Sequence, residues 1–132
     1  MSRIFRIEHH ALEVGPYQLK APDVKTNDLF SLFSRHSRSE IHPCLQDDKP
    51  TSTRSLKRLY SEWFFGFSSL SQLRKWFSNE DLRILHENGC NMIVYEVDKD
   101  SYIKYKKQTV FKKEAAKVLF KQNVISLIPK TE

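Results

Sequence analysis

FFGFSSLSQLRKWFS, residues 64–78, sets an aromatic, strand-like segment directly against a helix-like one. The aromatic residues around Gly66 predict a short strand over residues 63–67. Ser69 is a suitable N-cap for the helix that follows. The apolar residues of that helix share one stripe: Leu70, Leu73 and Phe77. The glycine permits either close approach of a ligand or relief of crowding in a core, and the residues alone leave both interpretations open.

Two further segments are predicted to pair as strands on either side of this junction. MIVYEV, residues 92–97, is short, β-branched and apolar on both faces, which is typical of a central strand. SRIFRIE, residues 2–8, alternates and predicts a first strand with Ile4 and Arg6 on the same face. Because a buried guanidinium is costly without a partner, Arg6 calls for either a carboxylate or an anionic ligand.

The segments between these predicted strands contain residues that are typical of helix starts and ends. Ser78 with Asp81 three positions later resembles a capping box, and Gly89 is a suitable C-terminal stop for the helix it opens. Asn27 can cap an earlier helix over 28–36. Leu56, Leu59 and Tyr60 also recur at helical spacing.

The rest of the chain predicts a long loop and a strand-rich end. Residues 34–55 form a polar segment that is typical of a functional or mobile loop. YIKYKKQTVF (102–111) predicts one or two strands, KKEAAKVLF (112–120) a helical turn or two, and NVISLI (123–128) a closing strand. We therefore expect a single α+β domain over residues 1–132, with short helices packed on a small mixed or antiparallel sheet.

Composition narrows the class of protein. The chain has 132 residues, 39% of them apolar, with no apolar run long enough for a membrane span, and its first ten residues lack the apolar run that is typical of a signal peptide. Two cysteines without metal-ligand spacing predict neither a disulfide framework nor a metal site. A cytoplasmic protein without a membrane partner is expected.

The formal charge of +6 is unevenly distributed. Residues 104–121 carry seven lysines against one acid, Glu114, and a second basic run lies just before the opening stretch. Such patches attract phosphates or acidic partners, although a solvated face is an equal alternative. The residues predicted to contact phosphate or nucleic acid are Arg54, Lys57, Arg58, Lys104, Lys106 and Lys107.

Taken together, FRIE (5–8), GPY (15–17), the GFSSLSQLRKWF segment (66–77) and MIVYEV resemble short bacteriophage accessory proteins and ADP-ribosyltransferase-like domains. The resemblance implies an ADP-ribosyltransferase-like fold and NAD as the cofactor. It also implies Arg6 as a ligand residue on the first strand and an aromatic-Ser strand end that grips the ligand. Where such enzymes carry a late-strand glutamate, this chain has Gln108, which cannot supply the same charge stabilisation.

We therefore expect a phage-type accessory protein that binds a nucleotide-like ligand or a host defence component and interferes with host immunity. Two alternatives remain open: an active mono-ADP-ribosyltransferase that modifies a host protein, and a non-enzymatic basic protein that binds or mimics nucleic acid. The predicted ligand-binding residues are Arg6, Glu8, Tyr17, His42, Phe67, Ser68, Ser69 and Gln108.

Overall fold

Six strands form two antiparallel sheets in a computed structural model that describes residues 1–19, 28–36, 42, 48, 50 and 62–129. The strands are β1 (Ser2–His9), β2 (Trp63–Gly66), β3 (Cys90–Val97), β4 (Tyr102–Lys104), β5 (Thr109–Lys112) and β6 (Lys117–Asn123). The helices are α1 (Asp28–Arg35), α2 (Leu70–Trp76) and α3 (Asn79–Glu87). Short 3-10 turns lie at Pro16–Gln18, Lys99–Ser101, Lys113–Ala115 and Val124–Leu127.

The first sheet has the order β1-β3-β6, and the second has the order β2-β5-β4. The prediction that residues 92–97 form a central strand is confirmed, because β3 pairs with β1 on one side and β6 on the other. Phe5 and Phe67 exchange two backbone hydrogen bonds of 2.8 Å, which tie the end of β2 to β1. The two sheets are thereby held together at the aromatic junction of residues 64–78.

Two layers of apolar side chains lie on opposite faces of the first sheet. The face that carries Ile7, Met92 and Val94 packs against the three helices and the turn at Val124–Leu127. The other face, with Ile4, Ile93 and Tyr95, packs against Phe111 of the second sheet. This two-sided burial explains why β3 is apolar on both faces. The predicted α+β class is confirmed for the described residues, although their strands form two antiparallel sheets instead of the one small sheet that was expected.

The predicted helix ends on either side of α2 and α3 are confirmed. Ser69 caps α2 by accepting a hydrogen bond from the Gln72 N–H. Ser78 and Asp81 form a reciprocal capping box at the start of α3. Gly89 follows α3 with a φ of 82°, a left-handed conformation that favours glycine. The proposed cap Asn27 and the helical spacing of residues 56–60 lie outside the described residues.

Gly66 is required by packing between β1 and β2. A Cβ at this position would stand 2.6 Å from Ile4 Cγ2 and 3.2 Å from the Phe5 carbonyl oxygen. Gly66 therefore allows β2 to pack closely against β1, which is the second of the two interpretations that the sequence left open: relief of crowding in the core.

Two sequence expectations near the C-terminal end are wrong. A helical turn or two was expected over residues 112–120; one 3-10 turn is present at Lys113–Ala115, but the chain then enters β6 instead of continuing as a helix. Pairing with β3, which opposes Phe120 to Val94 and Lys121 to Ile93, outweighs the local helical preference of the Glu-Ala-Ala segment. Residues 123–128 were expected to close as a strand, but Asn123 accepts a hydrogen bond from the Ile125 N–H and begins a 3-10 turn instead.

Most of the polar segment 34–55 lies outside the described residues, although α1 extends through Arg35. In the portion of the chain that is described, no helix combines the length and the hydropathy needed to cross a membrane.

Candidate functional site

Arg6 and Glu8 form a buried ion pair between the two sheets. Arg6 Nε donates to Glu8 Oε2 at 2.7 Å, and the two side chains are 6% and 2% exposed. Lys113 Nζ lies 2.9 Å from the same oxygen, and the Tyr95 hydroxyl donates to it at 3.0 Å. Arg6 also donates to the Phe65 carbonyl at 2.7 Å. Arg6 thus has the carboxylate partner that its burial requires.

The electrostatics of this cluster favour a charged Glu8. Burial by itself raises the pKa of the Glu8 carboxyl, but hydrogen bonds from Lys113 and Arg6 and their charges outweigh burial and lower it. Burial, followed by the charge of Glu8, raises the pKa of the Tyr95 hydroxyl. The cluster therefore holds one carboxylate between two cations and locks β1, β3 and the turn after β5 together.

An open groove of about 530 Å³ lies along the start of β1. Its volume is within the range of small-molecule sites, roughly 300 to 1,000 Å³. The sequence predicted three of its residues, Ser68, Ser69 and Lys104, as candidate contacts. The full lining is Ser2, Arg3, Phe5, Ser68, Ser69, Leu70, Tyr102 and Lys104.

The groove combines cations, hydroxyls and aromatic rings. Arg3 is exposed and, within the described residues, makes no side-chain hydrogen bond or ion pair. Ser69 is committed to capping α2, whereas the Ser68 hydroxyl makes a long 3.4 Å contact with Gln72. The Tyr102 hydroxyl lies 3.0 Å from the Ser2 hydroxyl. The groove therefore offers the exposed Arg3 guanidinium beside two rings, with Lys104 two positions from Tyr102 on β4.

Arg3, Phe5 and Tyr102 were not among the predicted site residues. Arg3 and Phe5 could have been predicted from the alternation of β1. A strand that turns Arg6 inward must carry Arg3 and Phe5 on its other face. The contribution of Tyr102 depends on the meeting of two sheets, which residue spacing does not reveal.

Gln72 joins the groove wall to the second sheet. Its side-chain oxygen accepts from the Ser68 N–H at 2.8 Å and from the Thr109 hydroxyl at 3.0 Å. Its amide donates to the Tyr105 carbonyl at 2.9 Å. Gln108 follows in the same turn and is 3% exposed, away from the groove lining. Gln72 thus fixes the position of Ser68 relative to β5.

A second polar cluster lies among the helices. The Trp76 indole donates to the Tyr17 hydroxyl at 2.8 Å, and that hydroxyl lies 2.6 Å from His36 Nδ1. His36 Nε2 lies 2.9 Å from Asp81 Oδ2. Since a carboxylate only accepts, we assign the Nε2–H tautomer to a neutral His36, with Tyr17 donating to Nδ1. The His42 ring stacks on His36 at 3.7 Å between centroids and contacts the Trp76 carbonyl.

We call this second polar cluster the helix-side cluster. The pKa values of its carboxyl, imidazole and phenol groups are shifted in different directions. Burial raises the pKa of Asp81, but hydrogen bonds from His36 and the Ser78 N–H, together with the charge of Arg35, lower it overall. Burial lowers the pKa of His42 and raises that of the Tyr17 hydroxyl. These hydrogen bonds connect the residue after α1 with α2 and α3, so the arrangement ties the three helices together. Among the described residues, no group of three or more histidine, cysteine, aspartate or glutamate side chains is placed to hold a metal ion.

The predicted ligand-binding residues thus divide among several places. Arg6 and Glu8 are paired between the sheets, Tyr17 and His42 lie in the helix-side cluster, and Phe67 packs 5.8 Å from the Trp76 ring in the core. Only Ser68 and Ser69 reach the groove, where predicted phosphate contact Lys104 joins them. Lys106 is exposed, and the Lys107 N–H lies 3.1 Å from the Asp48 carboxylate. The predicted contacts Arg54, Lys57 and Arg58 lie outside the described residues.

Comparison with known proteins relates this small α+β domain to a bacteriophage protein family. A family model described as Bacteriophage T4 Y00F protein matches residues 1–124. The chain belongs to this bacteriophage protein family. No curated protein and no solved structure matches the chain.

Proposed function

We propose that this phage protein binds a nucleotide-like ligand in the groove along β1, and that sequestering this ligand from host defence signalling is its accessory role. The observation that carries the proposal is the meeting of Arg3 and Lys104 with Phe5, Tyr102 and Ser68 around one open cavity. The viral role is supported by membership of a phage family.

The groove offers each kind of contact that a nucleotide needs. Arginine binds phosphate through a planar fork of N–H donors, and lysine adds a second positive charge. Aromatic rings stack on bases, and a serine hydroxyl can hydrogen-bond a ribose or phosphate oxygen. We assign the phosphate to Arg3 and Lys104, and the base to the side of Tyr102 and Phe5.

The alternative functions place different demands on the site. An ADP-ribosyltransferase-like fold and activity stay predictions, supported by Arg6 on the first strand and by the aromatic-Ser end of β2. Arg6 is, however, held by Glu8 between the sheets, and Gln108 is buried. A nucleic-acid partner is supported by the exposed lysines that follow Lys104. Including NAD and short single strands among the test ligands separates these alternatives.

Thermal unfolding with a panel of ligands tests the proposal. The panel contains ATP, NAD, ADP-ribose, cyclic dinucleotides, a short oligonucleotide and inorganic pyrophosphate. A ligand at a hundredfold excess over its Kd should raise the free energy of unfolding by about 2.7 kcal/mol. NAD consumption and transfer of label to lysate proteins are measured in parallel, because turnover would establish the transferase instead.

A pair of matched double variants locates the site. Arg3→Ala with Lys104→Ala should abolish the ligand-induced shift. Lys75→Ala with Arg83→Ala removes the same charges from exposed positions on α2 and α3 and should leave the shift intact. Absence of a shift across the panel, or equal shifts in both double variants, would contradict the proposal. A response to the oligonucleotide alone would favour the nucleic-acid binder.

A further inference from the structure

The strand β6 forms one edge of the first sheet. It pairs with β3 on one side, and no strand in the described ranges pairs with its other side. An edge of this kind presents unpaired backbone N–H and C=O groups that can accept another strand. At seven residues, β6 is long enough for a ladder of several hydrogen bonds. We call the outer side of Lys117–Asn123 the β6 edge.

The β6 edge exposes apolar surface on both of its faces. Val118 is 48% exposed and Phe120 is 43% exposed. Phe120 opposes Val94 on the helix side of the sheet, whereas Val118 opposes Tyr95 on the side of the second sheet. A strand added to this edge would cover both side chains, one on each face.

Each face of the β6 edge also carries one lysine. The pairing with β3 places Lys117 on the same face as Phe120, and Lys121 on the same face as Val118. Both lysines are exposed. The edge therefore presents one cation and one apolar side chain on each face, with no acidic residue within the strand.

We propose that the β6 edge is a docking site for an extended acidic segment of a partner protein, added as a fourth strand to the first sheet. Main-chain hydrogen bonds would supply affinity, and the side-chain pattern of the edge would select the partner sequence. β3 pairs with Lys117, Val118, Phe120 and Lys121 and skips Leu119. An antiparallel segment that skips Leu119 in the same way, with the order acid, apolar, apolar, acid, sets each acid opposite a lysine and each apolar residue opposite Val118 or Phe120.

Charge favours this partner over a second copy of the chain. Antiparallel self-pairing about Phe120 would set the two Lys121 side chains diagonally across one face, and each chain carries a formal charge of +6. Edge lysines and the irregularity between Val94 and Tyr95 are also devices that discourage self-pairing. Lys121 therefore disfavours a second copy of the chain and favours an acidic strand.

The docking site is separate from the proposed ligand groove. The groove lies along β1, which forms the opposite edge of the same sheet. Failure of nucleotide binding and failure of strand docking are therefore independent results.

Binding of labelled peptides, followed by fluorescence anisotropy, tests the proposal. The probe has the core Glu-Val-Val-Glu, flanked by threonine and glycine. One control peptide has lysine in place of both glutamates. A second control keeps the glutamates but carries N-methyl groups on alternate residues, which removes backbone donors without changing the charge. The probe should bind, and both controls should bind at least about tenfold more weakly.

Charge reversal in the protein provides the matched comparison. Lys117→Glu with Lys121→Glu should weaken the acidic peptide at least about tenfold and strengthen the lysine peptide. Lys75→Glu with Arg83→Glu has the same change in net charge and should behave as the unmodified protein. Amide hydrogen exchange should slow in Lys117–Asn123 when the acidic peptide is bound.

Four outcomes would overturn the proposal. They are no binding up to about 1 mM peptide, equal binding of the N-methylated peptide, equal effects of the two double variants, and sedimentation as a dimer that a Phe120→Asp substitution dissociates. The last result would assign the β6 edge to a second copy of the chain.

Discussion

The two faces of β1 carry similar residue types and use them in opposite ways. On one face, Arg6 is buried and is paired with Glu8 between the sheets. On the other face, Arg3 is exposed and lies beside Phe5 in an open groove. One arginine stabilises the fold by satisfying a buried carboxylate, and the other is available for a ligand.

This difference shows that the presence of an arginine in an apolar strand is not enough to identify a binding site. The surroundings of each guanidinium decide its role, because Arg6 has a carboxylate, a carbonyl and an aromatic ring within contact distance. We infer that substitutions on the Arg6 face change stability, whereas substitutions on the Arg3 face change binding.

Glu8→Gln should have the largest effect on the first of these faces. The amide cannot neutralise Arg6 and Lys113, which both contact Glu8 Oε2. Breaking a buried ion pair by removing one partner costs about 3 to 5 kcal/mol. Urea denaturation should therefore show a free energy of unfolding lowered by about that amount.

Glu87→Gln, at the exposed end of α3, is the matched control and should change stability by less than about 0.5 kcal/mol. Equal stability of the two glutamine variants would contradict the stabilising role of the Arg6 face.

Acid should reproduce part of the Glu8→Gln effect. The pKa values of Glu8 and Asp81 are lowered in the folded protein, so both groups contribute stability that is fully present above their unfolded pKa values of about 4. This stability is lost as the pH falls through the folded pKa values. The urea midpoint should fall steeply below about pH 4, and the Glu8→Gln protein should show a shallower dependence over the same range. Parallel curves would argue against Glu8 as a source of the acid sensitivity.

Gly66→Ala should have an intermediate effect on stability, since Gly66 lies where β2 packs against Ile4 and Phe5 of β1. The new methyl group would meet Ile4 Cγ2 at 2.6 Å, and overpacking of this kind costs about 1 to 3 kcal/mol. Thermal unfolding checks the loss. Ile4→Leu with Gly66→Ala tests the cause, because leucine is not branched at Cβ and lacks the Cγ2 methyl group that the new Cβ would meet, so part of the stability should be recovered. No recovery would assign the cost to the backbone of Phe5 instead.

Local rules made part of the fold predictable from the sequence. The caps at Ser69 and Ser78 and the stop at Gly89 depend on neighbouring residues, and all three are confirmed. β3 was recognisable because burial on two faces leaves a continuous apolar run. β6 was missed because its pairing with β3 is a long-range contact that overrides local preference.

The candidate groove was only partly predictable for the same reason. Ser68 and Ser69 follow a recognisable strand end, so the sequence pointed to them. Arg3 and Phe5 join them through the two hydrogen bonds between Phe5 and Phe67, a pairing between distant parts of the chain that residue spacing does not reveal. Arg6 was predicted instead, because an arginine in an apolar strand is an unusual residue type. Residue types alone do not show that its partner is Glu8.

Arg3→Ala should have the smallest effect on stability and thus gives the sharpest test of the difference between the two faces. Because Arg3 is exposed and makes no side-chain hydrogen bond or ion pair with the described residues, its removal should change the free energy of unfolding by less than about 0.5 kcal/mol. The same substitution should weaken a phosphate-bearing ligand about tenfold or more, since a charge-assisted hydrogen bond contributes roughly 1.5 to 3 kcal/mol. Unfolding and ligand titration on one preparation measure both quantities. A loss of stability without a loss of affinity would make Arg3 a structural residue like Arg6, and the two faces of β1 would no longer differ.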